Sequence, residues 1–100
     1  MEIIIEPELQ AYLKGKKQHN IVVDVATANT SDIEISEIFL RTVTDSNAAY
    51  LKEKKKFRGY PVSCGEVLLP NYHLEISDTV VFRLKKVLFF HRIEQEGIRL

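Results

Sequence analysis

Apolar and polar residues alternate along several short stretches of the chain, which is the period of a half-buried β-strand. Ile21, Val23 and Val25 fall on one face of such a stretch, and Ile33 and Ile35 begin another that continues to Leu40. In the second stretch the apolar positions change from odd to even across Ser36–Glu37, which predicts a β-bulge. Further strands are predicted at residues 3–5 (an edge strand), 62–69, 74–76, 80–84 and 98–100.

A helical pattern stands near the start of the chain. Leu9, Tyr12 and Leu13 recur at helical spacing after Pro7, a residue suited to the first turn of a helix. We therefore predict a short amphipathic helix over residues 7–17, with acidic residues at its start and lysines at its end, as the helix dipole favours.

Polar segments separate these elements. We predict a loop at residues 27–32, a turn at Asp45-Ser46-Asn47, a hairpin turn at Ser77-Asp78 and a further turn at Glu96-Gly97. Residues 48–56 are compatible with helix or strand, and strand is favoured from Leu51 onward. The fold class predicted is mainly β (α+β), a compact β-sandwich or partial barrel of six to eight short strands with one short N-terminal helix, in a single domain over residues 1–100.

Composition narrows the function classes. Fourteen basic and fourteen acidic residues cancel, so a global attraction to nucleic acid or to an anionic membrane is not expected. The longest apolar run is residues 87–90, too short to cross a bilayer, and the N-terminus shows no secretory pattern. The single cysteine, Cys64, suits a reducing compartment, and the cytoplasm is expected.

The order of elements resembles a known family. A strand and a Pro-initiated helix precede the strand that begins at Ile21, and the C-terminal part contains Glu66-Val-Leu-Leu-Pro70, Leu74-Glu-Ile-Ser-Asp78 and a closing segment over residues 89–100. In this it is similar to the HesB-like, or A-type, iron–sulfur carriers, and most of all to the short HesB-like branch that carries paired cysteine or selenocysteine residues. The resemblance implies a HesB-like fold.

The cysteine ligands that the resemblance implies are missing here. Family members bind iron or an iron–sulfur cluster through a cysteine in the loop after the second strand, and the usual carriers add a Cys-Gly-Cys near the C-terminus. In this chain residues 27–32 read Thr-Ala-Asn-Thr-Ser-Asp, and no Cys-Gly-Cys precedes Leu100. We therefore expect a degenerate member that holds no cofactor, with iron or a cluster only if the family function survives.

Cys64 and His73 are weak candidates for metal or redox chemistry. Cys64 is expected inside the strand at residues 62–69, where a free cysteine is more often a small buried hydrophobe than a reactive thiol. It has two alternative roles, a ligand shared across a dimer or one half of a nucleophilic dyad with His73. No pair of ligands stands at the short spacing that structural zinc sites show.

Residues 52–60 form the most distinctive local pattern, because basic residues alternate there with Phe57 and Tyr60. Such a segment predicts contacts with phosphates and stacking on bases. The alternative is a solvated strand whose lysines protect an exposed edge from aggregation, and the zero net charge favours it. The candidate anion-binding residues are Lys52, Lys54, Lys55, Lys56 and Arg58.

Residues 83–92 mix basic and large apolar side chains. They are typical of a core strand or of half a homodimer seam, and the alternatives are an interfacial amphipathic helix or a protein-docking strip. One of the adjacent Phe89 and Phe90 is expected to be exposed. The leading hypothesis is a non-enzymatic, HesB-like domain that acts through protein–protein contacts, with a protein partner or a second copy. The alternatives are an anion-binding module through Lys52–Arg58 and a metal or redox role at Cys64 across a dimer.

Overall fold

In the computed structural model, which describes residues 1–29 and 31–100, seven strands and two helices succeed one another. The predicted mainly β, α+β class is confirmed, but the described part of the chain has a second helix that was not predicted. The elements are β1 (Glu2–Ile5), α1 (Pro7–Leu13), β2 (Asn20–Asn29), β3 (Glu34–Val43), α2 (Asp45–Lys54), β4 (Arg58–Val62), β5 (Gly65–Leu69), β6 (Glu75–Val87) and β7 (Phe90–Arg99).

The strands form two sheets. One has the order β1-β6-β7 and the other the order β3-β2-β5-β4. β1 lies at an edge of the first sheet, parallel to β6, so the prediction of an N-terminal edge strand is confirmed. β3 and β7 are edge strands of different sheets that approach each other.

Two apolar cores lie on opposite faces of the four-stranded sheet. Ile21 and Val23 of β2 point into the main core, which the three-stranded sheet and α1 cover, with Phe82 fully buried in it. Val22, between them, points into a second core and packs with Ala48 under α2. β2 is therefore buried on both faces at its start, as strands in parallel pairs commonly are.

Helix α1 is shorter than the predicted span of residues 7–17. It places Leu9 and Leu13 in the main core and ends at Leu13. Two residues later the backbone of Gly15 has φ +80°, a left-handed conformation that glycine adopts without steric cost. The lysines at positions 14, 16 and 17 therefore follow the helix instead of forming its last turn.

Helix α2 replaces the predicted turn at residues 45–47 and the strand predicted from Leu51. Thr44 caps it, since its side-chain oxygen accepts a hydrogen bond from the Asn47 backbone N–H at 3.3 Å. Only Ala48 and Leu51 of this helix are buried, and such a narrow apolar stripe gave the sequence pattern little helical signal. No helix among the described residues is long and apolar enough to span a bilayer.

A hairpin of two strands, β4 and β5, stands where a single strand was predicted at residues 62–69. β4 and β5 pair antiparallel from Arg58↔Leu69 to Val62↔Gly65, and Ser63 and Cys64 form the turn between them. Gly65, the first residue of β5, lies very close to the start of β2. A Cβ atom at this position would lie 2.6 Å from the Asn20 side-chain oxygen. Cys64 is thus in a turn, not within a strand.

Several predicted interruptions are also wrong. The pairing of β2 with β3 runs without a break from Asn20↔Val43 to Asn29↔Glu34, so Ser36–Glu37 is not a bulge. The predicted loop at 27–32 therefore begins later, since residues 27–29 belong to β2, and Thr30 lies outside the described residues. Ser77-Asp78 lies within β6, where the register against β7 shifts between Ile76 and Val81, and Glu96-Gly97 lies within β7. The turn that joins β6 to β7 is Leu88–Phe89.

The contrast between two leucines tests this division into core and surface. Leu9 is 0% exposed and Leu88 is 92% exposed. We expect Leu9→Ala to lower the free energy of unfolding by about 2–5 kcal/mol, because it leaves a cavity. The same truncation at Leu88 is expected to change it by less than about 0.5 kcal/mol. Urea unfolding of both variants measures this, and equal losses would contradict the packing described here.

Candidate functional site

Cys64 is half-buried in the turn between β4 and β5 and packs against the main core. It lines a cleft with His19, Ser63 and residues of α1. Burial raises the pKa of the Cys64 thiol, so the thiolate that a nucleophile or a metal ligand requires is disfavoured. This environment fits a partly buried apolar side chain, the role that the sequence favours for Cys64, better than it fits a reactive thiol.

His73 lies exposed in the loop between β5 and β6, away from the turn that holds Cys64. Within residues 1–29 and 31–100, no group of three His, Cys, Asp or Glu side chains is close enough to hold a metal ion. The structure brings His19, not His73, to the cleft that Cys64 lines. The metal and redox role at Cys64 therefore stays a prediction. His19 is the histidine near Cys64 that could take part in it.

Both ring nitrogens of His19 are already engaged. Nδ1 donates to the Lys16 carbonyl oxygen at 2.9 Å, and Nε2 donates to the Asp45 carboxylate at 2.8 Å. The hydrogen bond to Lys16, and then the charge of Asp45, raise the pKa of His19. Both ring nitrogens face oxygen acceptors and neither is bonded to the thiol, so Cys64 and His19 are not arranged as a nucleophilic dyad.

Asp45 and His19 belong to a polar cluster around Asn20. The Asn20 side chain, 1% exposed, donates to Asp45 at 2.9 Å and to the Val43 carbonyl at 3.3 Å, and accepts from the Glu66 backbone N–H at 2.9 Å. The hydrogen bond from Asn20, and then His19, lower the pKa of Asp45. These bonds join the start of β2 to the start of α2 and to β5. The cluster is therefore structural, and sequence reasoning missed it because its members are far apart along the chain.

The basic segment at residues 52–58 is partly occupied by contacts within the protein. Lys52 is paired with Glu66 at 2.8 Å, and Lys54 lies 3.9 Å from Glu53. Phe57 packs partly buried against the second core, and Tyr60 packs partly buried against the main core. The other cations, Lys55, Lys56 and Arg58, are exposed. Anion binding through Lys52–Arg58, with base stacking on these rings, stays a prediction.

The turn between β6 and β7 carries the two most exposed apolar residues of the described chain, Leu88 (92% exposed) and Phe89 (100%). Phe90, the first residue of β7, is 57% exposed. We call these three residues the hairpin tip. Sequence reasoning expected one of the two phenylalanines to be exposed, and both are exposed.

The backbone of the hairpin tip is also unusual. Leu88 has φ +48°, a left-handed conformation that is uncommon for residues other than glycine, asparagine and aspartate. Two-residue hairpin loops favour Asn-Gly or Asp-Gly for this reason. Four basic side chains flank the tip on the paired strands: Lys85 opposite Arg92, and Lys86 opposite His91.

A cleft begins next to the hairpin tip and runs between the two facing edge strands. It has a volume of about 560 Å³, with residues 38–42 of β3 along one wall and residues 91–95 of β7 along the other. Tyr12 of α1 and Leu84 of β6 contribute to its lining. The Tyr12 ring lies 5.3 Å from the His91 ring and 4.3 Å from Lys16 Nζ.

A scan against protein-family models finds no match to this chain, and searches of curated proteins and of solved structures find no significant match. The resemblance to HesB-like carriers therefore stays a prediction. The exposed apolar residues of the hairpin tip and the cleft beside it are the surface features that could serve a function.

The His19–Asp45 pair gives a pH-dependent contribution to stability. Because the folded protein raises the pKa of His19, its contribution is fully present below the unfolded value of about 6.5 and is lost as the pH rises through the folded value. We expect His19→Gln to lose more stability at pH 5.5 than at pH 8.5, measured as the urea midpoint against wild type. Gln18→Ala, a change at the adjacent exposed side chain, which does not titrate, is the control and should show no such difference. Equal losses for His19→Gln at both pH values would contradict the pairing.

The raised pKa of Cys64 predicts slow alkylation. At pH 7.5 we expect iodoacetamide to modify native Cys64 more slowly than the urea-unfolded chain, because the folded protein disfavours the thiolate and half covers the sulfur. Mass spectrometry against time measures both rates. Faster modification of the native protein would restore Cys64 as an activated thiol.

Proposed function

We propose that this protein is a non-enzymatic interaction module whose docking element is the hairpin tip. The observation that carries the proposal is the combination of almost complete exposure of Leu88 and Phe89 with a left-handed backbone at Leu88. Both properties cost the isolated molecule free energy. The apolar side chains of Leu88 and Phe89 stay exposed to water, and a left-handed backbone is unfavourable for leucine.

The shape and charge of the hairpin tip indicate the chemistry of the partner. The tip is convex, so its rings fit a concave apolar pocket. The flanking Lys85, Lys86 and Arg92 surround it with positive charge, of which Glu94 neutralises part through its contacts with Lys85 at 3.9 Å and Arg92 at 3.2 Å. The matching surface is a pocket on another protein with carboxylates at its rim.

The sequence led to the hypothesis that the protein acts through protein–protein contacts, and the present proposal assigns these contacts to the hairpin tip. It does not depend on the resemblance to HesB-like carriers, and it supposes no cofactor. The contacts of Phe57 and Tyr60 with the cores give the nucleic-acid alternative no comparable support.

Photo-cross-linking at the hairpin tip tests the proposal. We expect p-benzoylphenylalanine at position 89, introduced in cells of the source organism, to cross-link one defined protein. The same group at Tyr72, an exposed aromatic residue in another loop, is the matched control and should not capture it. With that protein purified, Leu88→Gly combined with Phe89→Ser should weaken binding about tenfold or more, as truncation of hot-spot residues does.

The double variant is expected to fold, because glycine suits the left-handed position and Phe89 is fully exposed. Equal cross-linking from positions 89 and 72 would overturn the proposal. So would cross-linking to a second copy of this chain alone, or binding to anionic phospholipid vesicles with no protein captured.

A further inference from the structure

The outer parts of β2 and β3 form a two-stranded ribbon that extends beyond the rest of their sheet. Among the described strands, β5 pairs with β2 only through Ile21 and Val22, whereas β2 and β3 stay paired as far as Asn29↔Glu34. Residues 26–29 of β2 are all exposed, although neighbouring residues of a strand face opposite sides. Both faces of the ribbon are therefore open to water in this part.

One face of the ribbon carries large apolar side chains. Ile35 is 47% exposed and Phe39 is 43% exposed, and both share a face with Glu37, which stands between them on β3. On β2, Ala26 pairs with Glu37 and Ala28 pairs with Ile35, so the two alanines lie on the same face. We call these five residues the ribbon face. It is a shallow apolar strip that the described residues leave uncovered.

The ribbon is acidic, although the chain as a whole has no net charge. Residues 25–40 contain three carboxylates, those of Asp32, Glu34 and Glu37, and no lysine, arginine or histidine. All three carboxylates are exposed, and none forms an ion pair with another residue in the part of the chain that the structure describes. The negative charge of the ribbon is thus not neutralised by this part of the domain.

This charge decides between two occupants of the ribbon face. A second copy that lay on the face with its own ribbon would bring two sets of three carboxylates together, and like charges in contact oppose binding. Arg41, the first cation that follows the ribbon in sequence, already contacts Asp24 at 3.1 Å. A basic segment of another protein would instead supply the missing cations.

The ribbon face lies far from the hairpin tip. The ring of His91, next to the tip, contacts Tyr12, and Tyr12 lines a pocket with Thr42 and Thr44 at the C-terminal end of β3. The extended strand between Thr42 and Glu34 spans about 26 Å, at about 3.3 Å per residue. The two surfaces are therefore separate, and they are opposite in charge.

We propose that the ribbon face binds a basic, partly apolar segment of a second partner protein. Ile35 and Phe39 supply exposed apolar area, and the three carboxylates select lysine and arginine. The contact would also stabilise the ribbon, because two strands without further neighbours are only marginally stable in water. This inference goes beyond the proposed function and does not depend on the hairpin tip.

A synthetic peptide of alternating lysine and valine, acetylated and amidated, is the probe. We expect it to shift the amide NMR signals of residues 26–29 and 34–39 of the full chain in a saturable way, with a dissociation constant below about 1 mM. A glutamate–valine peptide of the same length should bind at least about tenfold more weakly. An absence of saturable binding of the lysine–valine peptide would overturn the proposal.

Charge reversal gives a matched pair of variants. Asp32→Lys combined with Glu37→Lys should weaken binding of the lysine–valine peptide about tenfold and improve binding of the glutamate–valine peptide. Glu2→Lys combined with Asp78→Lys makes the same change of charge in the other sheet and should leave both affinities within about twofold. Equal weakening by the two pairs would assign the binding to net charge alone and contradict the proposal.

Truncation of the apolar side chains tests the other half of the recognition. Ile35→Ser combined with Phe39→Ser should weaken binding about fivefold or more, because it removes exposed apolar area from the ribbon face. The amide signal of the buried Phe82 reports whether this variant is folded. Leu88→Gly combined with Phe89→Ser removes two exposed apolar side chains elsewhere and should leave the affinity within about twofold.

The remaining outcomes separate the ribbon face from other sites. Amide shifts confined to residues 86–90, or a loss of binding in the variant of the hairpin tip, would assign the peptide to the tip and overturn the proposal. Dimerisation of the chain in sedimentation equilibrium that Ile35→Ser combined with Phe39→Ser abolishes would assign the ribbon face to a second copy, which also overturns it. Cross-linking from position 89 tests the hairpin tip separately in each case.

Discussion

The fold depends on the burial of one short strand segment on both of its faces. Ile21 and Val22 of β2 pair in parallel with Val67 and Leu68 of β5, and these adjacent residues point into opposite cores. A segment with apolar contacts on both sides cannot slip by one residue without exchanging its two faces. The side-chain amide of Asn20 lies at the start of this segment and bonds to the ends of β3, α2 and β5. Packing sets the register, and the buried amide fixes where the strands begin.

That arrangement also explains why the protein is open on one side. Helix α1 covers the main core from one direction and α2 closes the second core, but the sheets are not joined by backbone pairing where β3 meets β7. The half-buried ring of Tyr12 and the side chains of Leu40 and Ile93 cover this opening only in part. The opening therefore lies beside two strand edges that have no partner among the described strands.

The sequence predicted those parts of the fold in which the local pattern and the packing agree. The alternation at residues 21–25 and the helical spacing of Leu9 and Leu13 each correspond to one buried face, so the period alone predicts the element. Helix α2 was missed because its stripe consists of Ala48 and Leu51 only, and its N-cap at Thr44 resembles a turn in sequence. Apolar residues continue through the hairpin at Ser63–Cys64, so periodicity could not show the reversal.

Only the part of the candidate site formed by neighbouring residues, the hairpin tip, was predictable from the sequence. Adjacent residues of a strand face opposite sides, so the sequence alone predicts that one of Phe89 and Phe90 is exposed. The cleft joins residues 38–42 to residues 91–95, and no local pattern shows that two strands so far apart in sequence are neighbours. The turn at Leu88–Phe89 lies at the end of the β6–β7 hairpin, and β7 is the last strand of its sheet, so its outer edge has no partner among the described strands. The tip and the cleft meet at the start of β7, because His91 lines the cleft and directly follows Phe90, so a partner that covered the proposed docking element would also lie beside the cleft.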